Sequence, residues 1–357
     1  MASADERPDP SAALALTKSI GSAGREPVGA GRTTPPAPDL EQIKAVASLL
    51  RVGGWQPPAP PVVRQVPREF GAGSRVEGLW QRAAALNGGC PLVCVSSADG
   101  GVGRSTLTVA LGGLLALAIP GPVVAVDATL KPWGGLEHRV FRRGSATVWD
   151  AVSAGTDLDD LETAERLMQD GPTGLRVLVG ESKVSDQRRP PNWPELLGVA
   201  GHLRSRYAMA LLDLPTADTT PTWRALGWAT VPVLVARATV DGVRHTLRLL
   251  AHVRAAGLHS VGDGAVVVVV ATSPSTAREV RAVEKLARQS AAELVRVPYD
   301  PVLARPAPLD PRSLSKATRS AITEVAAAVV DRCPADLSRL VAAPSAGQPT
   351  LHGEESW

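Results

Sequence analysis

The sequence predicts an α/β protein in which a doubly wound, mainly parallel sheet carries helices on both faces. Short, unbroken apolar segments alternate with amphipathic segments of helical periodicity, as in parallel strands joined by crossover helices. A Gly-rich turn separates the first apolar segment from the helix that follows it. Aromatic residues make up only 3% of the 357 residues, so we expect a core of Ala, Val and Leu.

We expect one folded domain between two tails. Residues 1–75 are rich in Pro, Ala, Gly and Ser, which is typical of a largely disordered arm. The alternating pattern extends over 76–333, and residues 334–357 are again polar, as in a flexible tail. Inside the arm, apolar residues at helical spacing predict a short helix over 40–51. This helix is either transient or a docking segment for a protein partner.

Within the domain, the elements follow the hydrophobic pattern. Ser74 and Glu77 form a capping box for a first helix, which Asn87 and Gly88 end. Apolar runs bounded by turn residues predict strands at Leu92–Val95, Val123–Val126, Leu175–Val179, Met209–Leu212, Val231–Val235, Ala265–Val270 and Leu294–Val297. Apolar residues at helical spacing predict helices near 105–118, 146–170, 194–206, 219–229, 240–255, 276–289 and 316–331.

Composition argues against several classes of protein. A formal net charge of +3 is too small to indicate nucleic-acid binding by itself. The three cysteines have no C-x-x-C spacing, so we expect buried thiols in a reducing cytoplasm. The longest apolar run, Leu107–Val126, is interrupted by Gly and Pro, and no signal peptide is recognisable. We therefore expect a cytoplasmic protein without a membrane span.

The turn after the first strand has the layout of a phosphate-binding loop. Gly100, Gly101 and Gly103 would let consecutive backbone N–H groups turn inward. Ser105 stands where a hydroxyl reaches a magnesium ion, and Arg104 stands where a lysine would reach the β- and γ-phosphates. The standard pattern G-x-x-x-x-G-K-[ST] is met only in part, because an alanine replaces its first glycine and an arginine its lysine.

Two carboxylates follow predicted strands. Asp127 comes after Val126, and Asp213 comes after Leu212. Ligands of open parallel sheets bind at the carboxyl ends of the strands, so both side chains are expected beside the glycine loop. One carboxylate would hold a metal through water and the other would orient an attacking water. The alternative is that each Asp only caps the helix that follows it.

These three motifs resemble those of the MinD/ParA family of deviant P-loop ATPases, over roughly Pro91 to Val330. The family's loop reads K-G-G-x-G-K-T-T, and this chain has D-G-G-V-G-R-S-T at 99–106. The family's second motif, a strand that ends in Asp-Ala, resembles 123–128, and its Walker B strand, which ends in Asp-x-Pro, resembles 211–215. The Pro-rich arm and the residues around the loop are similar to actinobacterial members linked to type VII secretion or cell-pole organisation.

The resemblance implies ATP and Mg²⁺ as cofactors. It implies that Asp213 holds the metal through water, that Ser105 ligates it, and that Asp127 orients the attacking water. It also implies a homodimer with nucleotides sandwiched between the subunits. The nucleotide would lie against Asp99, Gly100, Gly101, Val102, Gly103, Arg104, Ser105 and Thr106.

Three departures from the family pattern concern the bound nucleotide: two argue against efficient hydrolysis and the third concerns recognition of the base. The signature lysine, which reaches the partner subunit's phosphates, is Asp99 here, and the second lysine is Arg104. A carboxylate roughly 5 Å from a phosphate charge costs about 3 kcal/mol at an effective dielectric constant of about 20. Arginine is a planar fork and lysine a compact point charge, so the second exchange is not conservative. Ala271-Thr272-Ser273 stands where the family carries an Asn that reads adenine.

Three functions are compatible with these sequence features. The first is an ATP-dependent switch of dimerisation or partner binding, with weak or absent hydrolysis. The second is a nucleotide-free scaffold that uses the N-terminal arm to hold an unidentified protein partner. The third is a partitioning protein that binds DNA non-specifically through a basic stripe, although a solvated helix face is the commoner explanation of such a stripe. The stripe consists of Arg278, Arg281, Lys285 and Arg288.

Overall fold

The computed structural model describes residues 74–86, 89–129, 131, 134–180, 191–288 and 294–334. For residues 74–77 and 287–288 it describes the backbone alone. The helix expected over 40–51, the remainder of residues 1–73 and the tail after 334 lie outside these ranges. Among the described residues, no helix is both long enough and apolar enough to cross a membrane.

An eight-stranded sheet forms the centre of the domain, and its strand order is β3-β4-β2-β5-β1-β6-β7-β8. All neighbouring strands are parallel except β3, which runs antiparallel to β4 at one edge. The strands are β1 Leu92–Ser97, β2 Val123–Asp127, β3 Gln169–Asp170, β4 Arg176–Leu178, β5 Met209–Thr216, β6 Val231–Arg237, β7 Val266–Val270 and β8 Leu294–Val297. The doubly wound α/β fold predicted from the sequence is confirmed.

Helices cover both faces of this sheet. They are α1 Ser74–Ala85, α2 Arg104–Ala118, α3 Val148–Ala154, α4 Leu161–Leu167, α5 Trp193–Arg204, α6 Thr220–Trp228, α7 Val240–Ala255, α8 His259–Gly264, α9 Ala277–Arg288, α10 Pro301–Ala304 and α11 Lys316–Arg332. Short 3₁₀ segments lie at Glu137–Arg139, Gly155–Asp159, Pro172–Gly174 and Pro311–Ser313.

The strands are apolar on both faces because each face is covered by helices. Along β1, Val93 and Val95 belong to a core that includes residues of α1, α2 and α11. The alternate residues Leu92 and Cys94 belong to a second core on the opposite face, which includes residues of α5 and α7. Successive strand side chains point to opposite faces, so this unbroken apolar pattern is what a two-sided sheet requires.

Some details of the predicted elements were wrong. The helix predicted over 146–170 is divided into α3, a 3₁₀ turn and α4, because Gly155 adopts a φ of 53° that ends the first segment. The remainder of that range contains β3, an edge strand of two residues that no hydrophobic pattern predicted. Strand β5 extends to Thr216, so Asp213 lies within the strand instead of following it.

The cysteines behave as the sequence predicts. Cys90, Cys94 and Cys333 are buried and form no disulfide. Burial raises the pKa of each thiol to about 12, so each is protonated at neutral pH. They therefore act as small apolar side chains of the core.

Candidate functional site

The glycine loop joins β1 to α2 at the carboxyl edge of the sheet. Gly101 has a φ of 67° and Gly103, the N-cap of α2, a φ of 92°. Both lie in the left-handed region, which glycine adopts without steric cost. The carbonyl oxygen of Gly103 accepts the first helical hydrogen bond, from the Leu107 N–H at 2.8 Å. The loop therefore presents the N-terminus of a 15-residue helix to any anion bound there.

Strand register brings the two predicted carboxylates together. Asp213 pairs with Val95 on β1 and with Asp127 on β2, so the two Asp residues lie side by side on neighbouring strands. The hydroxyl of Ser105, in the first turn of α2, donates a hydrogen bond of 2.5 Å to Oδ2 of Asp213. The Ala128 N–H donates to the Asp213 carbonyl oxygen at 3.0 Å and links the two strand ends.

Both carboxylates are buried, and this changes their acidity. Desolvation and, to a smaller extent, the charge of Asp127 raise the pKa of Asp213 to about 7, against the opposing effects of the Ser105 hydrogen bond and the charge of Arg104. Burial also raises the pKa of Asp127, against two hydrogen bonds from Thr129 to its Oδ1 at 2.6 and 3.1 Å. A positive charge at this position would favour the ionised form of both groups.

One oxygen of each carboxylate has no hydrogen bond of regular geometry. These atoms are Oδ2 of Asp127 and Oδ1 of Asp213, and both are buried. Two carboxylates and a hydroxyl are hard oxygen donors of the kind that Mg²⁺ prefers. The described residues contain no group of three or more His, Cys, Asp or Glu placed to hold a metal ion. Mg²⁺ commonly uses one or two carboxylates together with phosphate oxygens and water.

The segment after β2 packs directly onto these oxygens. A Cβ at Gly134 would collide with the Asp127 carboxylate, and one at Gly135 would collide with the Ser105 hydroxyl. Gly180, after β4, also approaches Asp127, since a Cβ there would lie 3.0 Å from Oδ2. The sequence motifs did not point to these glycines, although the Gly-Gly pair shortly after β2 was a visible signal.

Arg104 is held within the loop. Its Nη1 donates to Ser97 Oγ at 2.8 Å, and Ser97 Oγ donates to the carbonyl oxygen of Asp99 at 2.6 Å. Desolvation lowers the pKa of Arg104, and the charge of Asp213 is the largest contribution that opposes this. An arginine remains charged at neutral pH, so a partly buried cation lies near the two carboxylates.

Asp99 points to a different neighbour. Its carboxylate lies 3.0 Å from Nδ1 of His245, a residue of α7 that is 146 positions away in the chain. The pair is partly exposed, with side-chain exposures of 34% and 50%, so solvent screens it. Sequence reasoning missed this contact because it rests on tertiary structure alone.

Arg237 also contacts the loop and was not predicted. This residue ends β6, and its Nη2 donates to the Gly100 carbonyl oxygen at 3.2 Å. The only sequence signal for this contact was a cationic residue at the end of β6, the strand that pairs with β1.

Comparison with solved structures identifies the fold. A ParA family ATPase from Chlorobium tepidum aligns with 66% of this chain and 98% of its own, with 16% identity and a TM-score of 0.51. This chain has the MinD/ParA fold. A MinC:MinD cell division complex from Aquifex aeolicus gives 18% identity over 66% of this chain and 95% of that one, with a TM-score of 0.48. No family model matches the sequence.

A sequence relative of the MinD/ParA-like chain comes from Mycobacterium tuberculosis. The ESX-1 secretion-associated protein EspI of strains CDC 1551 and H37Rv is 28% identical over 180 residues. The match covers 50% of this chain and 26% of the relative. The aligned region therefore spans about a quarter of the relatives' length.

The other predicted residues occupy distinct positions in this MinD/ParA fold. Val102 is buried with 1% exposure, so only its backbone can face a ligand. Thr106 lies in the first turn of α2 and is also buried. Gly100 is exposed, and a Cβ there would meet no atom within 4 Å. After β7, Ala271 is buried and the following Thr272 and Ser273 are exposed.

Proposed function

We propose that this MinD/ParA-like chain binds ATP with Mg²⁺ and uses the bound nucleotide to switch its association with a partner, with weak or absent hydrolysis. The observation that carries the proposal is the hydrogen bond from Ser105 to Asp213 beneath a loop whose Gly101 and Gly103 adopt left-handed conformations. This arrangement joins a phosphate-binding backbone to a hard-oxygen metal site.

Three residues have separate roles in the proposed site. Ser105 would ligate Mg²⁺, and Asp213 would hold it through water, because its hydrogen bond places the two oxygens together. Asp127 would orient the attacking water, since its Oδ2 is buried without a regular hydrogen bond. Bound Mg²⁺ neutralises phosphate charge and orients the triphosphate. It would also neutralise the charge that the two carboxylates share.

The positions of two side chains support the proposal that hydrolysis is weak or absent. Arg104 is hydrogen-bonded to Ser97 and is partly desolvated. Its guanidinium would have to leave this position to reach a phosphate. Asp99 places a negative charge at the edge of the loop and is engaged with His245. Neither group reproduces the compact positive charge of a lysine. The nucleotide would therefore be held mainly by backbone N–H groups and the metal.

A specific observation also favours the scaffold alternative. The charge of Arg104 interacts with Asp213, Asp218 and Asp127, so the chain already supplies a cation to its own carboxylates. In this alternative the loop keeps its shape without a metal or nucleotide. The contacts of the loop with Arg237 and His245 then serve stability alone.

The partner would be a second copy of the chain or a different protein. The relative EspI is named as an ESX-1 secretion-associated protein, which supports a role in secretion. A role in cell organisation and a cytoplasmic location are further parts of the proposal. The arm over 1–75 would be the segment that binds an unidentified protein partner. A nucleotide-sandwich homodimer is the form in which bound ATP would alter the exposed surface.

Binding of DNA is the third possibility. Arg278, Arg281 and Lys285 are exposed on α9, while Val283 is buried on its inner face. Binding of duplex DNA that weakens with salt and is lost when Arg278 and Arg281 are replaced would support this function. The stripe is short, and we rank the nucleotide switch above it.

Equilibrium binding of labelled ATP to the purified full chain tests the proposal. We expect saturable binding with Mg²⁺ that is lost with EDTA and weakened at least about tenfold by Asp213→Asn or Ser105→Ala. Asp241→Asn is the matched control, since Asp241 is exposed on α7 and its carboxylate faces Arg244. Absence of binding at millimolar ATP would contradict the switch and support the scaffold.

A further inference from the structure

Two carboxylates lie on one side of the glycine loop, and an exposed arginine lies on the other. Strand β1, which leads into the loop, pairs with β5 on one side and with β6 on the other. The carboxylates of Asp213 and, one strand further, Asp127 lie on the β5 side. Arg237 ends the strand on the β6 side. The loop therefore lies between groups suited to a metal cation and a group suited to an anion.

The backbone of Arg237 is held firmly in place. Arg237 pairs with Val270 of β7, and its carbonyl oxygen accepts a hydrogen bond of 2.7 Å from the Thr239 N–H. Gly242 in the first turn of α7 packs against it, since a Cβ at Gly242 would lie 2.8 Å from the Arg237 carbonyl oxygen. The base of the side chain is thus fixed relative to the loop.

The guanidinium reaches the loop and remains accessible. Its Nη2 donates to the Gly100 carbonyl oxygen at 3.2 Å, and a Cβ on Gly101 would lie 3.8 Å from the same nitrogen. The residue is exposed and forms no ion pair with the part of the chain that the structure describes. An arginine carries five N–H donors, so most of its hydrogen-bonding capacity is available to a ligand.

The nearby acidic residue has another partner. Asp99, next to Gly100 in the chain, contacts His245 and not Arg237. Arg237 therefore does not form an ion pair with Asp99, the carboxylate at the edge of the loop. A guanidinium in this position matches phosphate oxygens in both geometry and charge.

We propose that Arg237 is a polyphosphate-binding residue that holds the phosphate chain from the β6 side of the loop, opposite the metal. It supplies from a neighbouring strand the positive charge that Asp99 does not supply from the loop itself. This inference rests on the proposed nucleotide binding and assigns one of its contacts. The ligand chemistry is a magnesium-bound polyphosphate, so the nucleoside contributes nothing to this contact.

Competition binding with two probes tests the assignment. Labelled Mg-ATP is bound to the full chain and displaced by magnesium tripolyphosphate, for the native protein and for Arg237→Ala, Arg237→Lys and Arg248→Ala. We expect Arg237→Ala to weaken both probes about tenfold, because a charged hydrogen bond is lost from each. The affinities of Arg237→Lys should lie between those of the native protein and Arg237→Ala, since lysine keeps the positive charge but not the planar, forked guanidinium. Arg248, exposed on the same helix as His245, is the matched control and should change neither.

The outcomes separate this inference from the proposed function. If the native protein binds neither probe, both are overturned. If it binds both and Arg237→Ala binds them equally tightly, the Arg237 assignment alone is overturned. If Arg237→Ala loses binding of Mg-ATP but binds tripolyphosphate as tightly as the native protein does, the residue lies at the nucleoside. This result would also overturn the assignment. Should Arg237→Ala unfold, as judged by thermal denaturation, unchanged affinity in Arg237→Lys would overturn the assignment.

Discussion

Asp127 stands opposite Asp213 on the neighbouring parallel strand, and both carboxylates are buried at the carboxyl edge of the sheet. Adjacent strands lie about 4.8 Å apart, so two negative charges here would repel each other strongly in a medium of low dielectric constant. Burial raises the pKa of both groups, and the charge of Asp127 adds to the rise in the pKa of Asp213. A bound cation would favour the ionised form of both groups.

The first prediction concerns pH. We expect the contribution of Asp213 to the free energy of unfolding of the ligand-free protein to fall as the pH rises from 3.8 to about 7. In this interval the folded state holds the Asp213 proton more tightly than the unfolded chain does, so deprotonation favours unfolding. One such group contributes at most about 1.4 kcal/mol per pH unit.

Urea denaturation at a series of pH values measures this slope. Asp213→Asn should reduce it, because the variant has no carboxyl group to titrate there. Asp241→Asn, at an exposed position of α7, should leave it unchanged. An identical slope in the native protein and in Asp213→Asn would show that Asp213 is not its source.

The second prediction concerns the close approach of the segment after β2. Gly134→Ala should lower the free energy of unfolding by about 1–3 kcal/mol, because the new methyl group would overlap the buried Asp127 carboxylate. Gly144→Ala is the control, since a Cβ there would meet no atom within 4 Å. Chemical denaturation of both variants measures the difference. Equal stability would mean that Asp127 moves aside at little cost.

The third prediction concerns the loop backbone. Gly103→Ala should destabilise the protein by about 1–2 kcal/mol, since alanine is strained at a φ of 92°. Gly100→Ala, in the same loop, needs no left-handed backbone and meets no neighbour, so its stability should match that of the native protein. Unfolding curves of the two variants measure this difference in stability. If Gly103→Ala is as stable as the native protein, the loop readily adopts another conformation.

The sequence revealed the strands and the carboxylates because these depend on local pattern. Unbroken apolar runs such as Val123–Asp127 are distinctive, and residues at the ends of parallel strands must converge at one edge. The contacts of Asp99 with His245 and of Gly100 with Arg237 depend on how α7 and β6 pack against the loop. They join residues 146 and 137 positions apart, and no periodicity encodes such pairs. Strand β3 escaped prediction because two residues carry no period.

The last prediction concerns the two replaced lysines. Asp99→Lys should strengthen Mg-ATP binding about tenfold or more, because a positive charge replaces a negative one beside the phosphates. The change also removes the contact with His245, which is partly exposed and worth at most about 1 kcal/mol. Combined with Arg104→Lys, it should raise the rate of ATP hydrolysis, since a compact cation would then reach the phosphates.

The control for this charge change is Asp241→Lys, which alters the net charge equally at an exposed position of α7. Equilibrium binding and phosphate release measure the two effects separately. A gain in binding without a gain in turnover would place the defect in hydrolysis at Arg104 or Asp127 instead of Asp99. If neither quantity rises above the control, phosphates do not approach Asp99, and the nucleotide-switch proposal loses its electrostatic basis.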